Sequence, residues 1–261
     1  MAYFQLSDGV KIYYERFGSG RPIVFIHPPL MGHVVFTYQR KLTEKYEVIF
    51  YDCRGHGQST HIKPNNSIGT IQTHIDDLKK LIDYLEIKTP TIVGYSNGGV
   101  LALSYALKYR DNIAALILSG GYPKVESWLL ARIYNFGILL MQFKMKNLLS
   151  NFLAKSHKVT DEDQENLYTY GMRADTETVK DLYIAGRRFD VVNKLHELND
   201  LPILVIYGTK EFYISMHKKY FAPLQKTEIV FIDGGKHQLP MRWYHAFNSI
   251  VLQFLSEQNL R

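Results

Sequence analysis

One stretch constrains this chain more than any other: residues 91–102, Thr-Ile-Val-Gly-Tyr-Ser-Asn-Gly-Gly-Val-Leu-Ala. A short apolar, β-branched run enters Gly94-Tyr95-Ser96-Asn97-Gly98, and an Ala/Leu-rich run of helical character leaves it. A strand must become a helix within a few residues. Such a turn strains the backbone at Ser96 and holds its hydroxyl out above the sheet. Gly94 and Gly98 suit the turn because a Cβ at either would collide with the adjacent strand or helix. The N–H groups that open the helix favour negative charge developing beside the hydroxyl.

The turn needs a sheet behind it. Residues 3–14 alternate around Asp8-Gly9 and predict a β-hairpin. Apolar runs at 22–26, 46–51, 91–95, 114–118, 201–207 and 228–232 predict further strands. Continuous runs of this kind are buried on both faces, as in parallel sheets. Helices are expected over 36–45, 68–85, from the Ser96 turn to about 109, 215–224 and 242–256. Strand and helix in alternation argue for right-handed βαβ crossovers.

That rhythm stops between 122 and 198, where no strand is expected. Residues 128–143 are apolar almost all round, Thr160 is a helix N-cap ahead of Asp161-Glu162-Asp163, and 175–189 is helical. Residues 124–158 are basic apart from Glu126, and 161–181 are mainly acidic, which suggests that one helix pair packs on the other. The 128–143 run suits a helix covering an apolar pocket. Lys144 and Lys146 keep a membrane-surface role as an alternative.

The 261 residues, 46% hydrophobic and 21% charged, suit one large α/β domain carrying an insertion. The net charge of +6 comes without a Lys/Arg block interleaved with aromatics, so no nucleic-acid partner is expected. No run reaches about 18 apolar residues, so no stable membrane insertion is expected. The first residues do not read as a signal peptide, and the single Cys53 fits a reducing, cytoplasmic setting. A monomer or homodimer is expected.

A serine hydroxyl is a poor nucleophile until a base takes its proton, and the base needs a third group to orient it. Five histidines follow Ser96: His157, His196, His217, His237 and His245. His237 lies in Gly234-Gly235-Lys236-His237-Gln238, a loop between the last strand and the last helix, from which it can reach the edge of the sheet. The other four read as solvated or satisfied side chains. The acid is expected on the loop after the 201–207 strand, where Glu211 stands. Glu126 and Asp233 are its nearest rivals.

These residues carry a family resemblance. His27 after an apolar strand, Asp52-Cys53-Arg54-Gly55-His56-Gly57-Gln58-Ser59, the Gly94–Gly98 turn and the late Gly-Lys-His resemble α/β-hydrolase-fold proteins of the esterase, lactonase and haloperoxidase-like branch. The resemblance implies an α/β fold: a mostly parallel eight-stranded sheet flanked by helices. Residues 1–121 and 199–261 would form the core and 122–198 an inserted helical lid. Asp52, Arg54, His56 and Ser59 would be a structural turn.

The resemblance further implies Ser96 as nucleophile, His237 as general base and acid, and Glu211 as orienting acid, although the family more often has Asp there. The oxyanion would rest on the N–H of Asn97 and on a second N–H from the loop His27-Pro28-Pro29-Leu30-Met31-Gly32. Proline has no N–H, so Leu30 is the expected donor. The expected substrate is a small or medium hydrophobic ester, lactone or thioester, in a pocket lined by Tyr95, Pro29, Trp128, Phe136, Met141 and Phe212. Phe143 joins them from the lid. No cofactor or metal is implied. A serine at this position disfavours epoxide-hydrolase and dehalogenase chemistry. A C–C bond hydrolase or perhydrolase with the same triad, or a hydrolase-fold ligand receptor, are the alternatives.

Overall fold

A computed structural model describes residues 2–62 and 69–258. Eight strands form one sheet in the order β1-β2-β4-β3-β5-β6-β7-β8. They are β1 Ala2–Gln5, β2 Lys11–Phe17, β3 Pro22–Ile26, β4 Glu47–Tyr51, β5 Thr91–Tyr95, β6 Ala115–Ser119, β7 Ile203–Gly208 and β8 Thr227–Ile232. β1 and β2 form the predicted hairpin, β2 pairs antiparallel with β4, and every other pairing is parallel.

The continuous apolar runs are explained by what covers the sheet. Val24, Ile26, Ile92, Leu116, Leu118, Val205 and Tyr207 join one buried cluster, with α1 (Thr70–Tyr84) and α2 (Gly98–Lys108). Ile23, Phe25, Val93, Tyr95, Ile117, Leu204 and Ile206 alternate with them and join a second cluster on the other face. The 3-10 segment His33–Glu44 and the last helix cover that face. The expected helix over 68–85 is α1. Its first expected residue, Ile68, lies outside the described residues.

Between β6 and β7 stand α3 (Trp128–Gln142), α4 (Lys146–His157), α5 (Asp161–Arg173) and α6 (Thr176–Arg188). Thr160 caps α5 reciprocally: its hydroxyl accepts from the Asp163 N–H, and Asp163 accepts from the Thr160 N–H. α3 packs on α6 and α4 on α5. Each helix of the basic half thus packs on one of the acidic half, as expected, but ion pairs do not hold them together. Lys146 donates to the carbonyls of Met172 and Ala174, and Lys158–Asp161, three residues apart, is the only ion pair joining the halves among the described residues.

Two other expectations change. The helix over 215–224 is replaced by two single turns, α7 (Phe212–Ser215) and α8 (Lys218–Phe221). Between them His217 Nδ1 donates to the Ile214 carbonyl. The end of the chain is a short α9 (Leu239–Arg242) followed by α10 (Tyr244–Glu257).

Candidate active site

β5 ends at Tyr95 and α2 begins at Gly98, so the backbone reverses within two residues. Ser96 takes φ +53, a left-handed conformation that a side chain rarely adopts. Its N–H bonds the Ser119 carbonyl of β6 at 2.9 Å, which holds the strained residue at the sheet edge. A Cβ on Gly98 would sit 2.2 Å from the Ile26 carbonyl oxygen, and one on Gly94 2.6 Å from Gly99 Cα. The turn closes only with glycine at both places.

The three side chains singled out from the sequence meet at this turn. His237 Nε2 lies 2.8 Å from Ser96 Oγ, and His237 Nδ1 lies 2.9 Å from Glu211 Oε2. The carboxylate makes His237 Nδ1 the donor, so Nε2 is left to accept the serine hydroxyl. Glu211 is 1% exposed, and its other oxygen accepts the Gly208 N–H at 2.6 Å. Gly120, at φ +61, leaves room for the ring: a Cβ there would come within 2.9 Å of His237 Cε1. The rival acids lie elsewhere. Glu126 is exposed and paired with Lys219 and Tyr220, and Asp233 is exposed beside Thr209.

The loop after β3 is held by His27, whose Nε2 accepts the Cys53 N–H and whose Nδ1 donates to the Pro28 carbonyl. Pro28-Pro29-Leu30-Met31 is a tight turn, with the Met31 N–H bonded to the Pro28 carbonyl and Leu30 at φ +71. Proline second and a positive φ third are the pattern of a type II turn. The Leu30 side chain is buried in the small core of the insert, with Leu140, Met141, Leu149, Ala174 and Val179.

Asp52 anchors the next residues of that loop. It accepts the His33 N–H at 2.8 Å, the His33 ring at 2.9 Å and the Gln58 N–H at 2.8 Å. Glu15 lies on the other side of His33 and is also paired with Arg40 and Tyr13. Burial works against a charged His33, but Asp52 and Glu15 outweigh it and hold the imidazolium up to about 9. Arg54 grips Asp77 with two nitrogens at 2.7 and 2.8 Å and reaches Asp8.

A cavity of about 100 Å3 opens at Ser96. Pro28, Pro29, Met31, Tyr95 and Asn97 form its floor, and Leu130, Ile133, Tyr134, Leu153 and Tyr183 of the inserted helices close it. Tyr95 and Pro29 are thus where the sequence puts them. Trp128, Phe136 and Phe212, and with them Phe143, are exposed and do not line it, and Met141 is buried in the insert's own core. A helix apolar on all sides does not reveal which side faces inward.

Two polar contacts tie the insert to the turn and were missed from the sequence. Tyr95 donates its hydroxyl to His157 Nε2 at 2.8 Å, while His157 Nδ1 donates to the Leu153 carbonyl. Burial pushes His157 down to about 3, so it is neutral. Asn97 Nδ2 donates to the Tyr134 hydroxyl at 2.8 Å, and that hydroxyl also bonds Tyr122. Neither histidine nor tyrosine stands in a motif that would announce the contact. Among the described residues no group of three His, Cys, Asp or Glu side chains is arranged to hold a metal ion.

Known proteins resemble the chain over most of its length. A family model described as Hydrolase_4, serine aminopeptidase, S33, matches residues 38–241. The bifunctional esterase/perhydrolase DCH of Acinetobacter calcoaceticus is 23% identical, over 98% of this chain and 99% of its own. A 2-hydroxy-6-oxononadienedioate/2-hydroxy-6-oxononatrienedioate hydrolase of Paraburkholderia xenovorans is 28% identical, over 95% and 92%. An esterase structure from Exiguobacterium antarcticum superposes with a TM-score of 0.84 at 22% identity, over 97% and 98%.

Proposed function

The chain belongs to the Hydrolase_4 (serine aminopeptidase, S33) family of α/β hydrolases, and from that premise we propose that it cleaves small hydrophobic carboxylic esters, lactones or thioesters through an acyl-enzyme. The observation that carries this reading is the line Ser96–His237–Glu211 opening into an apolar cavity. Ser96 Oγ attacks the carbonyl carbon while His237 Nε2 takes its proton. Glu211 fixes the tautomer and stabilises the imidazolium. His237 returns the proton to the leaving oxygen or sulfur, and water, activated by the same ring, releases the acid.

The oxyanion rests on the Asn97 N–H and on the Leu30 N–H, because Pro28 and Pro29 have none to give. One such donor is worth about 3 kcal/mol of transition-state stabilisation in other enzymes. Residues 122–198 serve as the lid over the core formed by 1–121 and 199–261. Cavity size narrows the substrate. About 100 Å3 is less than the ~150 Å3 that admits benzene in an engineered core, so the acyl part is a few carbons long while the insert stays in place. Among the described residues no arginine or lysine lines the cavity. A dianionic substrate such as the Paraburkholderia relative's name describes would find no counter-charge there, so ester cleavage is favoured over C–C hydrolysis.

The test is turnover of p-nitrophenyl acetate, butyrate and octanoate by the wild type and by Ser96→Ala. The expected result is turnover of the two short esters that the Ala variant lacks. Adding hydrogen peroxide and acetate tests the perhydrolase alternative in the same assay. No Ser96-dependent turnover of any ester or lactone would favour a ligand receptor instead. We propose a cytoplasmic setting from Cys53, a lone thiol that burial pushes up to about 12, and a monomer or homodimer.

A further inference from the structure

α3 has two apolar faces, and only one is used. At 100° per residue, Trp128, Arg132, Phe136, Leu139 and Phe143 fall within an arc of about 80°. Leu130, Ile133 and Tyr134, which close the cavity, point the other way. Trp128 is 67% exposed, Phe136 54% and Phe143 64%. α4 repeats the pattern: Met145, Leu148 and Phe152 are all exposed and share a face with Lys155. Isolated exposed apolar residues are ordinary, but two adjacent helices that both turn large apolar side chains to solvent mark an interaction surface.

The charges around this face indicate what covers it. Between Ser127 and Thr160 there is no Asp or Glu, while Arg132, Lys144, Lys146, Lys155 and Lys158 are all present. Lys146 and Lys158 are engaged within the insert. Arg132 lies over the Trp128 ring, 5.1 Å from its centroid. Arg132, Lys144 and Lys155 have no carboxylate partner among the described residues. A second copy docked face to face would bring like charges together around the apolar centre. An anionic bilayer surface offers both parts of the complement, acyl chains for the rings and headgroup charge for the cations.

We propose that the outer face of α3 and α4, built on Trp128, Phe136, Phe143, Phe152, Lys144 and Lys155, docks peripherally on an anionic lipid surface. Docking is in the plane of the surface, since no described helix is long and apolar enough to span a bilayer. The opposite side of α3 roofs the cavity, so a docked molecule would hold that roof against the phase in which apolar esters concentrate. The proposal stands apart from the ester reading, because its readout is binding and not turnover.

The experiment uses the full chain with Trp243→Phe, which leaves Trp128 as the sole indole. It is mixed with vesicles of phosphatidylcholine alone, or of phosphatidylcholine and phosphatidylglycerol in equal parts. A blue shift of Trp128 emission and co-sedimentation are expected with the anionic vesicles only, both fading with added salt. Lys144→Glu with Lys155→Glu should weaken binding about thirty-fold or more. Phe136→Ser with Phe143→Ser should abolish the shift while leaving turnover of soluble p-nitrophenyl acetate unchanged. No binding to anionic vesicles at low salt would overturn the proposal. So would a dimer in sedimentation velocity that the Phe136→Ser, Phe143→Ser variant dissolves, since the occupant would then be a second copy.

Discussion

Glu211 reaches His237 across one more methylene than an aspartate would, and the Gly208 N–H holds its second oxygen so that the reach is fixed. Glu211→Asp should therefore leave the carboxylate about 1 Å or more short and lower kcat on p-nitrophenyl acetate by about 10²-fold with little change in KM. Glu211→Gln keeps the length but offers an amide, and a fall of about 10⁴-fold in kcat is expected. Equal activity of both variants with the wild type would move the orienting acid elsewhere. His33 supports the neighbouring loop in another way. Its pKa in the fold, about 9, lies above the ordinary value near 6.5. The stability it contributes is therefore complete below about pH 6.5 and is lost as pH rises through about 9. The wild type should lose urea resistance between about pH 7 and pH 10 more steeply than His33→Gln, which has no imidazolium to lose. Parallel curves would show that the Asp52–His33–Glu15 chain carries no charge-dependent stability.

At the scale of elements, the central strands β3 to β7 were legible because each is buried on both faces, so that hydropathy alone marks it. The turn at Ser96 was legible because its glycines are required by close backbone contacts. α4 was not, since its buried residues are Leu149, Ser150, Ala154 and His157, and two polar groups among four blur the helical period. The lining of the cavity failed for the opposite reason. α3 is apolar on both sides, so the inward choice of Trp128 and Phe136 had no basis in periodicity. Leu130, Ile133 and Tyr134 face the cavity because α6 and the turn at Asn97 set the rotation of the helix. Tyr134→Phe removes the acceptor for Asn97 Nδ2 and leaves a buried donor unpaired, at a cost of about 1–3 kcal/mol in unfolding free energy. Its readout beyond stability is kcat, because the side chain it steadies belongs to Asn97, whose N–H is the proposed oxyanion donor. An unchanged kcat would confine Tyr134 to packing. Ile133→Ala and Leu153→Ala enlarge the cavity and should shift preference toward longer acyl chains. An unchanged chain-length profile would show that these residues do not bound the acyl site.

Taken as a whole molecule, the sheet presents three loops to one edge: the Ser96 turn after β5, the Glu211 loop after β7 and the His237 loop after β8. The insert after β6 closes over them. The same molecule buries His27, His56 and His74 in a row behind the loop that follows β3, with ring centroids 5.3 and 6.5 Å apart. Burial first holds all three below the ordinary value, His56 down to about 3, and nearby positive charge adds to it, from His33 on His27, from His27 on His56 and from His56 and Arg54 on His74. The unfolded chain takes up these protons near pH 6.5 and the folded chain resists them. Stability should therefore fall steadily as pH drops below about 6.5, as read by the thermal midpoint. A midpoint flat from about pH 7 to pH 4 would contradict that account. The central claim, that Ser96 is the nucleophile of an acyl-transfer line completed by His237 and Glu211, is tested most directly by covalent trapping. A fluorophosphonate incubated with the folded protein, followed by intact mass and peptide mapping, should give one adduct per chain on Ser96, none in Ser96→Ala and a much slower one in His237→Asn. An adduct on another residue, or none in wild-type protein shown to be folded, would contradict it.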